Sequence, residues 1–184
     1  METQRLIMRR WRDEDRDPFA AMNADPVVME HFPAPLTRAE SDHFVDRIEE
    51  EFDKHGHGLW ALEVRESGEF IGFTGLIWQT FDAPFLPAWE IGWRLARPAW
   101  GRGYATEAAE EAIGHAFEEA GLDEIISMTA KRNTRSQAVM KRLGMTHMTD
   151  FGHPRLAPDH PLFPHVAYHL RRPQDRGFTT GMAR

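Results

Sequence analysis

Cysteine is absent from these 184 residues. The chain therefore has no disulfides, no thiolate metal ligands and no cysteine nucleophile, so any acyl transfer it performs is direct or uses another nucleophile. Basic residues are few: 22 Lys and Arg stand against 29 Asp and Glu, a net charge of -7 with His neutral. That balance argues against nucleic acid as a partner, which demands a basic footprint. No apolar run approaches the length of a membrane span and no charged-then-apolar leader opens the chain, so a cytoplasmic location without membrane attachment is the expectation. Internal repeats, low-complexity tracts and interdomain linkers are also missing. The acids gather in Glu49-Glu50-Glu51-Phe52-Asp53 and around Glu110, Glu111, Glu118, Glu119, Asp123 and Glu124, a pattern of solvated helix faces.

What remains is an ordinary composition, 41% hydrophobic and 28% charged, in a chain long enough for one sizeable core. A single domain is expected over residues 1–172, with 173–184 a polar, disordered tail. Thr3 to Trp11 reads as a first strand, and Asp13 is placed to cap a helix to about Asn23 with Phe19 and Met22 inward. Asp25-Pro26 starts a short helical turn that Pro33 and Pro35 break. Thr37 with Glu40 is a capping box for a helix to about His55, with Phe44, Ile48 and Phe52 on one face. Leu59 to Arg65 and Phe70 to Gln79 flank a hairpin turn, and Ala88 to Leu95 adds a third antiparallel strand. A helix from Tyr104 to Ala120 carries a stripe from Ala105 to Phe117, and Gly121 stops it. Ile125 to Ala130 is the next strand. Ser136 begins a further helix that Gly144 ends, and Met145 to Phe151 and His165 to Leu170 are the last strands. The strand-helix-strand step from Glu90 to Ser127 calls for a right-handed crossover to a parallel neighbour, so the fold class is mixed α+β.

The chain is organised around Trp100-Gly101-Arg102-Gly103-Tyr104-Ala105-Thr106-Glu107-Ala108. Two glycines two apart let the backbone curl so that the amides from Gly101 to Thr106 point at one anion. The helix behind them adds unpaired N–H groups and the positive end of its dipole. Such a turn also occurs as an ordinary tight turn. Its neighbours give it meaning: Trp89-Glu90-Ile91-Gly92-Trp93-Arg94-Leu95 before it, then Asn133-Thr134-Arg135-Ser136 and Lys141-Arg142-Leu143-Gly144-Met145 after it.

In this order the motifs resemble the GNAT superfamily of acyl-CoA-dependent N-acetyltransferases, and most closely its RimJ/RimL-like branch of ribosomal-protein α-amine acetyltransferases and relatives acting on small molecules. The superfamily turn, Gln/Arg-x-x-Gly-x-Gly/Ala, is filled here by Trp100, Gly103 and Ala105. Trp100 departs from the general pattern, while Trp-Gly-x-Gly-Tyr-Ala-Thr-Glu-Ala is similar to the branch, as is the opening Thr3-x-Arg5-Leu6-x-Met8-Arg9. The likeness spans about residues 3 to 170. It implies a mostly antiparallel twisted sheet of six to seven strands with a splayed parallel pair, and about four helices. It also implies acetyl-CoA as donor and a primary amine, such as a protein N-terminus, as acceptor. The backbone of Arg94 and Leu95 would pair with the cofactor arm, Asn133 would bond that arm, and the early helices would wall the acceptor site. The diphosphate would sit in the turn formed by Trp100, Gly101, Arg102, Gly103, Tyr104, Ala105 and Thr106.

Acetyl transfer from a thioester to an amine needs a neutral amine, a stabilised oxyanion and a proton for the departing thiolate. By resemblance to the superfamily's histone acetyltransferases, Glu90 is the candidate base, its pKa raised between Trp89 and Trp93; its other reading is a sheet-edge glutamate bonded to a neighbour. An α-amine near pKa 7.8 costs only ~1 kcal/mol to deprotonate at pH 7, against ~4.6 kcal/mol for a lysine near 10.4. The oxyanion would be met by a strand N–H near Arg94. Much of the superfamily places an acidic tyrosine seven residues after the Asn, where this chain has Met140. Ser136 is then the candidate donor to the thiolate; its other reading is a helix cap. Arg102 is a candidate for the diphosphate and Arg142 for the ribose phosphate, each otherwise a surface arginine. His153, His160, His165 and His169 fit no zinc spacing, so no metal is expected. Phe32, Trp78, Phe81, Phe85 and Trp89 suggest a roomy acceptor pocket or a homodimer surface. Two other functions stay open: a CoA-binding module without catalysis, and transfer from another acyl-CoA. A nucleotide-phosphate binder lacks the Lys-Ser/Thr of a P-loop.

Overall fold

A computed structural model of the protein describes residues 1–173. The tail expected over 173–184 lies, but for its first residue, outside the described residues. The elements run in the order β1 (Leu6–Arg9), α1 (Arg16–Ala24), α2 (Arg38–His55), β2 (Leu59–Val64), β3 (Phe70–Gln79), β4 (Ala88–Leu95), α3 (Tyr104–Gly114), β5 (Glu124–Ala130), α4 (Thr134–Arg142), β6 (Thr146–Gly152) and β7 (Pro164–Arg171). Seven strands form one sheet in the order β1-β2-β3-β4-β5-β7-β6. Every pairing is antiparallel except β4 with β5, which is parallel. This is the α+β architecture expected from the strand and helix periods.

The first helix corrects the sequence reading. Asp13 is exposed in a short 3-10 turn, and α1 starts three residues later. Asp15 organises the turn instead: 2% exposed, it accepts the Arg12 N–H at 2.8 Å and a two-point pair from Arg9 at 2.7 and 2.9 Å. Strand β1 is shorter than the alternation suggests, because the Thr3 N–H folds back to the Leu6 carbonyl. The capping box of α2 forms as read, the Glu40 N–H donating to Thr37 Oγ1 and the Thr37 N–H to Glu40.

Both crossovers, β4-α3-β5 and β5-α4-β6, are right-handed by rule, so α3 and α4 lie on one face of the sheet. The other face is covered by α1 and α2, whose Phe19 and Phe44 meet Phe73 of β3 with ring centroids 6.0 and 5.8 Å apart. Ala108, Ala109, Ala112 and Ala116 are fully buried, which lets α3 approach the sheet closely. The helix expected to run to Ala120 changes pitch at His115 into a π-turn, where Ala120 donates to the His115 carbonyl at 2.9 Å. The wider turn keeps Phe117 in the core while His115 packs edge-on to Trp60.

One departure from regular pairing positions everything that follows. β4 and β5 pair only at Glu90 opposite Ile126. Beyond that point the two parallel strands separate, leaving backbone groups of both without a strand partner.

Candidate active site

The separation opens a groove of about 1410 Å³. One end is the turn before α3. Gly101 and Gly103 hold left-handed backbone, φ 74° and 82°, and Gly103 is the residue before the helix. The N–H groups from Gly101 to Thr106 donate to no acceptor among the described residues; the first to do so is Glu107, to the Gly103 carbonyl at 3.1 Å. Six amides in succession at a helix N-terminus form a site for an anion.

The turn is clamped from the other end of the chain. Thr3 Oγ1, the Arg5 N–H and Arg5 Nε donate to the Glu107 carboxylate at 2.5, 2.8 and 2.6 Å. Arg5 also donates to the Arg102 carbonyl at 2.9 Å and covers the Tyr104 ring at 4.7 Å. These contacts hold the Glu107 carboxylate below the usual range despite its partial burial. Positioning roles for Thr3, Arg5 and Glu107 were not read from the sequence, although all three lie in the quoted motifs. About 100 residues separate the partners, so local spacing carried no sign of the contact.

At the other end is Glu90. Its Oε2 accepts from Gln79 Nε2 at 2.7 Å, and its Oε1 accepts from the Met128 N–H at 3.2 Å. Met128 is where β5 leaves β4, so the carboxylate caps an amide that the separation strands. Burial pushes its pKa up to about 7, against the two hydrogen bonds that favour the charged form. Glu90 is thus bonded to neighbours on an interior strand, not at a sheet edge, and burial raises its pKa.

Backbone direction decides what β4 offers the groove. The Ala96 N–H donates to the Ile71 carbonyl on β3, and antiparallel pairing alternates, so Arg94 and Gly92 also turn their peptide groups to β3. Trp93 and Leu95 turn theirs to the fork. Leu95 thus turns its backbone to the fork, where its carbonyl accepts the Trp100 indole N–H at 2.7 Å. The backbone of Arg94 is engaged elsewhere, and its side chain is what lines the groove. There its Nη1 donates to Asn23 Oδ1 at 2.6 Å, and its guanidinium lies 4.1 Å over Phe32. Burial lowers its pKa to about 10, leaving it a cation at neutral pH.

Asn133 is the N-cap of α4: its side-chain oxygen accepts the Ser136 N–H at 3.1 Å, and its amide donates to Thr129 Oγ1 at 2.9 Å. The helix accordingly starts at Thr134, two residues before the expected position. With Asn133 as cap, the half-buried Ser136 hydroxyl makes no hydrogen bond among the described residues and lines the groove. Met140, in place of the family tyrosine, is fully buried and faces the core.

Trp100, Gly101, Gly103, Tyr104, Ala105, Thr106, Asn133, Arg135 and Arg142 all border the groove, and Arg135 stacks on Trp100 at 5.0 Å. Arg102 does not: it is exposed and borders a small separate cavity. Of the aromatic residues proposed as lining, only Phe32 contributes. Trp78 stacks on Trp89, and Phe81 and Phe85 pack against His153 and Phe151. The early-helix region borders the groove through the 25–36 connection, with Val27, Val28, Glu30 and His31, and through Phe44 of α2. Among the described residues no group of three His, Cys, Asp or Glu is arranged to hold a metal, and no helix is long and apolar enough to cross a membrane.

Residues 5–146 match the acetyltransferase (GNAT) domain family. The uncharacterized protein YkkB of Bacillus subtilis is 28% identical over 144 residues, covering 78% of this chain and 83% of that protein. The FsC-acetyl coenzyme A-N(2)-transacetylase of Aspergillus fumigatus is 36% identical over 104 residues, 52% of this chain and 42% of that longer protein. The crystal structure of an acetyltransferase from Agrobacterium tumefaciens superposes with a TM-score of 0.75 at 27% identity, covering 94% of each chain. Because the matched span takes in every element that builds the groove, from β1 to the end of α4, the chain belongs to the GNAT family of acetyltransferases.

Proposed function

We propose that this protein is an acetyl-CoA-dependent N-acetyltransferase of RimJ/RimL-like type, acting on a primary amine by direct attack within a ternary complex. The observation that carries the reading is the joining of two unlike ends in one groove: a row of free amides suited to a diphosphate and a desolvated carboxylate suited to an amine. The name of the Aspergillus relative, which specifies acetyl coenzyme A and a nitrogen acceptor, supports it.

Bound acetyl-CoA supplies a thioester carbonyl that an amine attacks, releasing a thiol. The turn from Gly101 to Thr106 holds the diphosphate by backbone, and Arg135 and Arg142 add positive charge beside it. N–H groups of Trp93 and Leu95, facing the fork, are the donors available to the carbonyl oxygen. Glu90 takes the amine proton, and with its pKa near 7 it is ionised in a large fraction of molecules at neutral pH. Ser136, whose hydroxyl borders the same groove, is the donor available to the departing sulfur. Holding amine beside thioester supplies the larger part of the rate.

One feature favours a second reading, CoA binding without catalysis: the buried Met140 cannot act as an acid. The free Ser136 hydroxyl weighs against it. Thiol release from acetyl-CoA, followed with peptides and small amines, separates the two. Turnover with at least one amine, lowered about tenfold or more in kcat by Ser136→Ala, is the expected result. Binding of acetyl-CoA with no turnover on any amine would leave the non-catalytic reading standing.

A further inference from the structure

Glu90, Gly92 and Arg94 alternate onto one face of β4, the face covered by α1 and α2, and all three border the groove. Each step of two residues advances roughly 6.6 Å, so the carboxylate and the guanidinium emerge from backbone points about 13 Å apart. Between them Gly92 contributes no side chain, and a Cβ built there would meet nothing within 4 Å. The groove floor is bare between one acid and one base.

Arg94 is an unusual cation. Among the described residues it has no carboxylate partner; its one hydrogen bond goes to the neutral Asn23 side chain, and its remaining neighbours are the rings of Phe32, Phe44 and Phe73. Its Nε is sealed from solvent without an acceptor. Elsewhere in this acidic chain, inward-facing arginines are matched: Arg9 pairs with both Asp15 and Glu63. A desolvated guanidinium left without an anion is costly to hold, and its Nη2, which has no partner among the described residues, is a charged donor for a carboxylate.

We propose that the acceptor is an amino carboxylate, an amino acid or short peptide whose amine lies at Glu90 and whose carboxylate pairs with Arg94, its carbon chain crossing Gly92. Phe32, stacked on the guanidinium and 37% exposed, belongs to the 25–36 connection and covers the carboxylate end. Arg94 is thus the specificity determinant for the acceptor, while the cations beside Trp100 serve the donor. The inference rests on the acetyltransferase reading above.

The test uses the full chain, first titrated calorimetrically with acetyl-CoA, then assayed with the common L-amino acids and two- to four-residue peptides, each against its C-terminal carboxamide. Binding of the same acceptors to the complex with CoA is measured in parallel. At least one free acid is expected to exceed its carboxamide by thirtyfold or more in kcat/KM. Arg94→Met should erase that preference and Arg94→Lys restore part of it, while the acetyl-CoA affinity of both variants stays within about twofold of the parent, which also shows that they are folded. Gly92→Leu should raise KM for the acid at unchanged donor affinity. Equal use of acids and carboxamides, or no acid bound or acetylated by a chain that binds acetyl-CoA, would overturn this proposal alone. A loss of acetyl-CoA affinity in Arg94→Met matching the loss of acceptor would assign the guanidinium to the donor and overturn it too. No binding of acetyl-CoA to the parent chain would remove both this proposal and the reading beneath it.

Discussion

Glu90 shows how one side chain holds two properties that the sequence presents as alternatives. Its hydrogen bonds to Gln79 and Met128 fix where it points, and its burial sets when it ionises. The folded pKa of about 7 lies above the ordinary 4.5, so the fold binds this proton more tightly than the unfolded chain does. The resulting stability is fully present below about pH 4.5 and is lost as pH rises through about 7. Glu90→Gln, which keeps the shape and cannot ionise, is expected to melt above the parent at pH 8 by the equivalent of roughly 3 kcal/mol or less, with the gap closing near pH 4. The same substitution should lower kcat/KM about tenfold at neutral pH and remove the rising limb of the pH-rate profile near 7. An unchanged profile would show that the carboxylate caps Met128 and does nothing else. Trp89 and Trp93, expected to flank the Glu90 carboxylate, turn to the opposite face of β4; Gln79 was not legible as its partner, because its position opposite Ala88, two residues along the same face, depends on the β3-β4 register.

At the scale of elements, the boundaries of β3 and β4 were legible to the residue, since a turn with Gly68 and a proline-bearing loop bound segments rich in β-branched and aromatic residues. Elements whose ends rest on side-chain contacts were not. The start of α1 is set by Asp15 meeting Arg9, and the start of α4 by Asn133 meeting Ser136. A residue that caps a helix and a residue whose hydroxyl stays free look alike in sequence, which is why Asn133 and Ser136 separate only once the helix start is known. The clamp of Thr3 and Arg5 on Glu107 makes a prediction at this scale. Glu107→Gln removes the ion pair while leaving the helix propensity nearly unchanged. Because Arg5 is 44% exposed, the loss is about 1 kcal/mol, a fall in thermal midpoint of roughly 2–4 °C. Acetyl-CoA affinity should fall severalfold as the turn loosens. A melting change with no change in affinity would make the clamp a brace for β1 alone.

The whole molecule is organised by a defect in its sheet. Five of the six strand pairings run over several residue pairs, and the sixth, β4 with β5, meets at a single pair before parting. The class of fold and the parallel step followed from the strand-helix-strand order of the motifs. The depth of the parting did not, because it is a property of two strands 30 residues apart and of the helices on either side. Occupancy of the groove should tie the two halves of the sheet together. At a hundredfold excess over its dissociation constant, a ligand that binds only the folded chain adds about 2.7 kcal/mol, and a rise in thermal midpoint of roughly 5–10 °C with acetyl-CoA is expected. ATP, which lacks the pantetheine arm proposed to enter the fork, should give a smaller rise at equal concentration.

The most direct test of the account is calorimetric titration of the purified chain and of Gly103→Glu with acetyl-CoA. The variant places a side chain on backbone held at φ 82° and a carboxylate among the amides proposed to hold the diphosphate. Saturable one-to-one binding by the parent, abolished in a variant that still melts cooperatively, is the predicted result. Equal binding by both would contradict the assignment of the turn, and no binding by either would contradict the acetyl-CoA reading itself.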